Sequence, residues 1–248
     1  MLLENKVAII TGASSGIGRA AALLFARQGA RLLLNARDGE WLRLVADEVA
    51  AIGGEAIVVA GDVADSATHA AIVAASACWG GPDIAFNNAG MTGIAAPLAE
   101  QNSDNWNRVL SVNLGSAFLA ARAQIPAMIA RGGGSLIFTS SFVGSSVGLP
   151  GMACYGAAKA GLLGLVKGIT ADYAAQGIRA NALLPGGTDT AMAGSAENKK
   201  WAAGLHAMKR IAQPDEIAQA ALFLASDMAS FVTGSALWAE GGNAAVKL

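Results

Sequence analysis

Seven short apolar runs, at positions 7–10, 31–35, 56–60, 83–86, 135–139, 179–184 and 235–239, recur along the chain. Stretches of helical length and composition, among them 40–52, 66–79, 104–130 and 153–175, separate most of them. Short apolar strands alternating with helices can form a parallel sheet, because each helix carries the chain back to begin the next strand in the same direction. Helices on both faces then bury the strands, which is why the runs are apolar throughout. No linker, charge run, low-complexity stretch or internal repeat divides the chain. The 248 residues are therefore predicted to form one α/β domain with a seven-stranded parallel sheet flanked by helices.

Composition narrows the function classes. A net charge of −1, with 14% of residues charged, provides no basic face for nucleic acid. The hydrophobic fraction is 54% and the mean hydropathy +0.45, both high for a soluble monomer. No apolar run reaches the ~18 residues of a membrane helix, and Glu4 and Lys6 precede the first strand, unlike a secretory leader. The apolar excess is expected to go into subunit contacts. Cys78 and Cys154 are too few for a disulfide framework, and His69 and His206 lack ligand-spaced companions. A cytoplasmic, metal-independent protein is expected.

The first strand stops at Thr11, and Gly12-Ala13-Ser14-Ser15-Gly16-Ile17-Gly18 leads into a helical pattern at Ala20. Glycines after a strand and before a helix let the backbone turn tightly and approach a pyrophosphate, which helix N-terminal amides can hold. Far along the chain, Tyr155 and Lys159 lie four residues apart in a helical segment, so phenol and ammonium share a face. A neighbouring cation lowers a phenol's pKa from about 10, as an acid/base catalyst near neutrality requires.

These motifs and three others make the chain resemble the short-chain dehydrogenase/reductase family. The glycine loop 11–18 is similar to its cofactor loop. Asn87-Asn88-Ala89-Gly90 follows the fourth strand as its Asn-Asn-Ala-Gly element does, and Asn113 lies in a Val-Asn-Leu segment like that of its catalytic asparagine. Ser141, Tyr155 and Lys159 match the other catalytic members, and Pro185-Gly186-Gly187-Thr188-Asp189-Thr190 resembles the loop that clasps the nicotinamide. The resemblance implies a single doubly wound Rossmann-type domain, residues 1–248, with a substrate lid at about 188–210. Gly12, Ser14, Ser15, Gly16, Ile17, Gly18, Asn88, Ala89 and Gly90 would hold the dinucleotide. Asp62 and Val63 would meet the adenine, Tyr155 and Lys159 the ribose, and Pro185, Gly186, Thr188 and Thr190 the nicotinamide.

The implied reaction moves a hydride between nicotinamide and a carbonyl carbon. Tyr155 is the proton donor, Lys159 its neighbouring cation and Ser141 a hydrogen-bond donor to the oxyanion. Asn113 would hold a relay water; alternatively it is a kinking residue within a helix. Ser140 adjoins Ser141, but neighbours in an extended strand face opposite ways, so only one can meet the carbonyl. Ser145 and Ser146 fall too close to Tyr155. Asp62 alternatively caps the helix that starts near Ser66.

Cofactor choice turns on the end of the second strand. Ala36 stands where NAD-preferring relatives tend to carry aspartate, and Arg37 follows it, which favours NADP(H); Ser15 and Asp38 argue the other way and leave NAD(H) use open. Glycines 156, 161, 164 and 168 in one helix call for close approach to a neighbouring helix or cofactor, and a homotetramer, or a homodimer, is expected. Met152, Met192 and Trp201 are either core or pocket lining. The expected activity is reduction of a small hydrophobic ketone or aldehyde, reversibly, rather than of a 3-oxoacyl carrier-protein thioester, for which Arg122 and Arg131 would be the receiving cations. A catalytically silent dinucleotide sensor would show a broken catalytic set, and here the set is complete.

Overall fold

The computed structural model describes residues 1–246. The elements in order are β1 (Val7–Thr11), α1 (Gly16–Arg27), β2 (Arg31–Ala36), α2 (Gly39–Ala51), β3 (Glu55–Ala60), α3 (Ser66–Ser76) and β4 (Ile84–Asn87). There follow α4 (Ser103–Leu110), α5 (Ser116–Ala130), β5 (Gly134–Thr139), α6 (Ala153–Tyr173), β6 (Ile178–Pro185), α7 (Ala196–Gly204), α8 (Pro214–Ala225) and β7 (Ala236–Ala239). The strands form one sheet in the order β3-β2-β1-β4-β5-β6-β7, and each neighbouring pair is parallel. The fold is the expected doubly wound one.

Period-two alternation along β1 explains how both faces are covered. Ala8 and Ile10 join a core with Phe25 of α1, Leu42 and Val45 of α2, and Ile217 and Ala221 of α8. Val7 and Ile9 point the other way, into a core with Ile72 of α3, Ile125 and Met128 of α5, and Leu162 and Val166 of α6. The chain winds outward from β1 in both directions, so β1 and β4 are neighbours although β2 and β3 intervene in sequence. Their carboxyl ends therefore flank a crevice that no crossover helix fills, the usual ligand position in such sheets.

Two readings of local structure are corrected. The stretch 104–130 is not one helix: a π-helical segment, Ser111–Gly115, joins α4 to α5 and contains Asn113. The cap of α3 is Asp65, whose carboxylate accepts from Ala67 N at 2.9 Å, so Asp62 is not the helix cap. Of the four α6 glycines, two have the expected close neighbours. A Cβ on Gly156 would meet Gly144 Cα at 3.3 Å and one on Gly161 would meet Leu114 Cδ2 at 2.8 Å, whereas Gly164 and Gly168 face open space.

Candidate active site

The glycine loop runs from the end of β1 into α1. Gly12 and Gly16 have φ of +68° and +51°, a region that glycine enters freely. A side chain at Gly18 would collide with Gly12 O, and one at Gly16 would meet Thr190 Cγ2 at 2.9 Å. Ser15 caps α1 without a side-chain hydrogen bond, and no acidic residue occupies the first turn. First-turn amides not used by a cap, beside a backbone stripped of side chains, suit a dinucleotide's pyrophosphate. Ser14 and Ile17 are half-buried in this loop and Ser15 is exposed.

Thr11, which sequence reasoning left without a role, anchors the next loop. Its buried hydroxyl accepts from Asn88 N at 3.0 Å and Ala89 N at 3.1 Å. Asn88 Nδ2 donates to Thr11 O at 3.2 Å, and Thr139 Oγ1 donates to Asn88 Oδ1 at 3.2 Å. The ends of β1, β4 and β5 are thus tied together at one level. Thr11 and Thr139 are the last residues of their strands, a position that could have flagged them.

Asn113, buried in the π segment, has its side chain fully engaged. Its Oδ1 accepts from Met91 N at 3.1 Å, and its Nδ2 donates to Met91 O at 2.8 Å and Val109 O at 3.0 Å. Asn113 thus lies where the regular helix is interrupted, as the kinking reading expected. Its amide oxygen and Lys159 Nζ converge on Gly90, where a Cβ would lie 2.7 and 3.2 Å from them.

Lys159 is buried on α6, donates from Nζ to Thr139 O at 2.6 Å, and has that nitrogen 5.6 Å from the centre of the Tyr155 ring. Ser140 and Ser141 lie beyond the end of β5 rather than within an extended strand, so strand alternation is not what separates them. Ser140 Oγ donates to Lys159 O at 2.8 Å, behind the site, while the Ser141 hydroxyl faces Tyr155 and accepts from Val143 N at 3.1 Å. Tyr155 is half-buried. Burial pushes the phenol's pKa up, against a smaller downward pull from Ser141. Burial also pushes Lys159 down, to about 7. The expected lowering of the phenol by the lysine is therefore opposed by the enclosure of both groups.

Around this centre lie the remaining predicted residues. Pro185 closes β6, Gly186 and Thr190 are half-buried, and buried Thr188 donates from Oγ1 to Gly186 O at 3.0 Å. Arg37 is exposed just past β2. Asp38 is turned away to cap α2, accepting from Glu40 N at 2.9 Å and Trp41 N at 3.1 Å. Asp62 accepts from Ala64 N and pairs with Arg108 at 2.8 Å, and these bonds hold its carboxyl below the usual carboxylate range; Val63 beside it is buried. A cleft of about 590 Å³ opens beside Gly90 and is lined by Met91, Ile94, Arg108 and Met192 among others. Met192 and Trp201 are each 56% exposed, so neither is a core residue; Met152 is half-buried.

Residues 12–244 match the family model described as "Enoyl-(Acyl carrier protein) reductase". Cyclohexanol dehydrogenase of Acinetobacter sp. (strain SE19) is 40% identical over 239 residues, covering 96% of this chain and 94% of that protein. The chain belongs to the short-chain dehydrogenase/reductase family. A second member, the 2,5-dichloro-2,5-cyclohexadiene-1,4-diol dehydrogenase of Sphingobium indicum (strain DSM 16412 / CCM 7286 / MTCC 6364 / B90A), is 40% identical over 254 residues, 98% of this chain and 99% of its own. The crystal structure of a short-chain type dehydrogenase/reductase from Mycobacterium marinum superposes with a TM-score of 0.94 at 32% identity, covering 98% and 97% of the two chains. The family's cofactors are the nicotinamide dinucleotides, and the bare glycine loop with its open helix N-terminus fits one. Among the described residues no helix is long and apolar enough to cross a membrane, and no cluster of potential metal ligands occurs.

Proposed function

We propose that the protein is an NADP(H)-dependent oxidoreductase that interconverts a small cyclic secondary alcohol and its ketone. The observation that carries this reading is the meeting of Ser141, Tyr155, Lys159 and Asn113 at the carboxyl ends of β4 and β5, beside a cleft to which Met91, Ile94 and Met192 contribute apolar side chains. Met91, Ile94 and Met192 suit a hydrocarbon ring better than a charged chain, and the cleft's volume is that of a small-molecule site. Two relatives that act, by name, on alcohols of six-membered carbocycles support the same choice.

The bound dinucleotide supplies or accepts the hydride at the carbonyl carbon. Tyr155 Oη gives its proton to the developing alkoxide in reduction and takes it back in oxidation. The Ser141 hydroxyl donates a hydrogen bond to the same oxygen, where charge accumulates. Lys159, in its protonated form, favours the phenolate beside it. Asn113 fixes Met91 and thereby the wall of the cleft next to Gly90.

NADP(H) is favoured because Arg37 is exposed while Asp38, the competing carboxylate, is committed to capping α2. The carrier-protein reading loses one of its two cations: Arg131 is bound to Asp83 by bonds of 3.0–3.1 Å and also donates to Trp79 O. A homotetramer is proposed from the exposed Phe118, Met228 and Phe231 and from the uncovered Gly164 and Gly168 of α6. The test is a panel of cyclic alcohols and ketones, straight-chain ketones and 3-oxoacyl thioesters with each dinucleotide, for wild type and Arg37→Ala. Fastest turnover on a ring substrate with NADP(H), and a raised NADP(H) KM in the variant, are expected. Preference for a thioester, or an unchanged KM, would refute the corresponding assignment.

A further inference from the structure

His206 lies just beyond α7, is 2% exposed, and has no role in the chemistry above. Backbone groups occupy both of its ring nitrogens. Nδ1 lies 2.6 Å from Ala202 O, which can only accept, so Nδ1 carries the proton. Nε2 accepts from Gly187 N at 2.9 Å. The neutral Nδ1-protonated ring is the only form that satisfies both bonds.

Gly187 sits in the middle of the loop that leaves β6 for the nicotinamide end of the proposed cofactor site. The ring is fitted there by missing side chains. A Cβ on Gly186 would lie 2.5 Å from Nε2, one on Gly187 3.1 Å from Cε1, and one on Gly241 3.3 Å from Cδ2. Phe142, next to Ser141, meets the imidazole edge-on with ring centres 5.9 Å apart. One side chain thus touches the loops after β5, β6 and β7. The same loop is braced from the segment that follows His206: Ala212 N donates to Gly187 O and Asp189 N to Ala212 O, each at 2.8 Å. Thr190, at its far end, abuts Gly16 of the glycine loop.

We propose that His206 is a positioning residue: through its acceptor bond to the Gly187 amide it holds loop 186–190 in the shape that receives the nicotinamide half of the dinucleotide. The inference rests on the dinucleotide reading above. An apolar replacement of similar size would fill the space and leave the Gly187 N–H without a partner, and a loop with an unpaired amide relaxes toward water.

The experiment compares wild type with His206→Leu, His206→Gln and His206→Asn. Glutamine can place an acceptor near the Nε2 position, and asparagine reaches only the Nδ1 position. Hydrogen exchange of the amides in 186–190 is measured without cofactor, and the Kd for NADPH is measured by fluorescence, both at least ten degrees below each protein's Tm. The Leu and Asn variants are expected to exchange faster within 186–190 and to bind NADPH about tenfold more weakly, while kcat at saturating NADPH stays within about threefold. The Gln variant is expected to return both properties toward wild type. Wild-type exchange and Kd in the Leu variant would overturn the proposal, as would a Gln variant no better than the Leu one. If the Leu variant does not fold, the Gln and Asn pair decides alone. Failure of wild type to turn over any alcohol or ketone would refute the proposed reaction, whereas exchange and Kd still decide the role of His206.

Discussion

Lys159 shows how burial and chemistry compete at a single residue. Enclosure lowers its pKa from 10.5 to about 7, while an unfolded chain leaves it near its ordinary value. Between these two values the unfolded state binds the proton that the folded state has released, so folding stability rises with pH across that window. Below pH 7 the cost of the buried charge is present in full. Lys159→Met removes that dependence: its Tm relative to wild type is expected to be highest at or below pH 7 and to decline steadily toward pH 10. Thermal melts across that range check it, and a pH-independent difference would mean that the charge is not penalised. Ser141→Ala is expected to lower kcat by about a hundredfold, with the dinucleotide Kd unchanged, because the hydroxyl acts on charge that forms only during reaction. Tyr155 and Lys159 were legible in the sequence because a spacing of four puts them on one face of α6, whereas Ser141, on the loop after β5, was legible through the family resemblance. Thr11, Thr139 and His206 were not, since their partners, the Asn88 and Ala89 amides, the Asn88 side chain and the Gly187 amide, are remote in sequence, and only the folded sheet brings those atoms within reach.

Among the elements, the strands were legible to within a residue at their ends, since apolar runs bounded by polar residues mark the sheet directly. The π segment was not. It lies in a stretch of unbroken helical composition, and what accompanies the extra residue in the turn is the bonding of Asn113 to Met91, a loop contact with no sequence period. Asn113→Ala removes three hydrogen bonds and leaves Met91 N and O without that partner; a loss of about 2–3 kcal/mol of stability is expected, read from denaturant midpoints. At the other end of the site, Gly18→Ala forces a methyl against Gly12 O. The loop must open to admit it, and dinucleotide affinity is expected to fall by at least about tenfold in a fluorescence titration, because the pyrophosphate relies on close backbone approach. Unchanged affinity would show that the dinucleotide lies elsewhere.

For the molecule as a whole, 54% hydrophobic composition meets a sheet already covered on both faces, so part of the apolar excess lies outside. Phe231 is fully exposed and Met228 is 63% exposed, in the segment between α8 and β7. Sedimentation is expected to give four chains of 24.8 kDa each, and Phe231→Asp with Met228→Asp is expected to shift the population to smaller species; a monomer at micromolar concentration would refute the assembly. The central claim concerns chemistry, and Tyr155→Phe tests it most directly, since it removes one hydroxyl and keeps the ring. Turnover of cyclohexanol with NADP and dinucleotide Kd should be measured on both proteins. The expected result is a loss of turnover of about a thousandfold with Kd within about twofold of wild type; a variant that binds dinucleotide equally well and turns over as fast as wild type would contradict the role given to Tyr155.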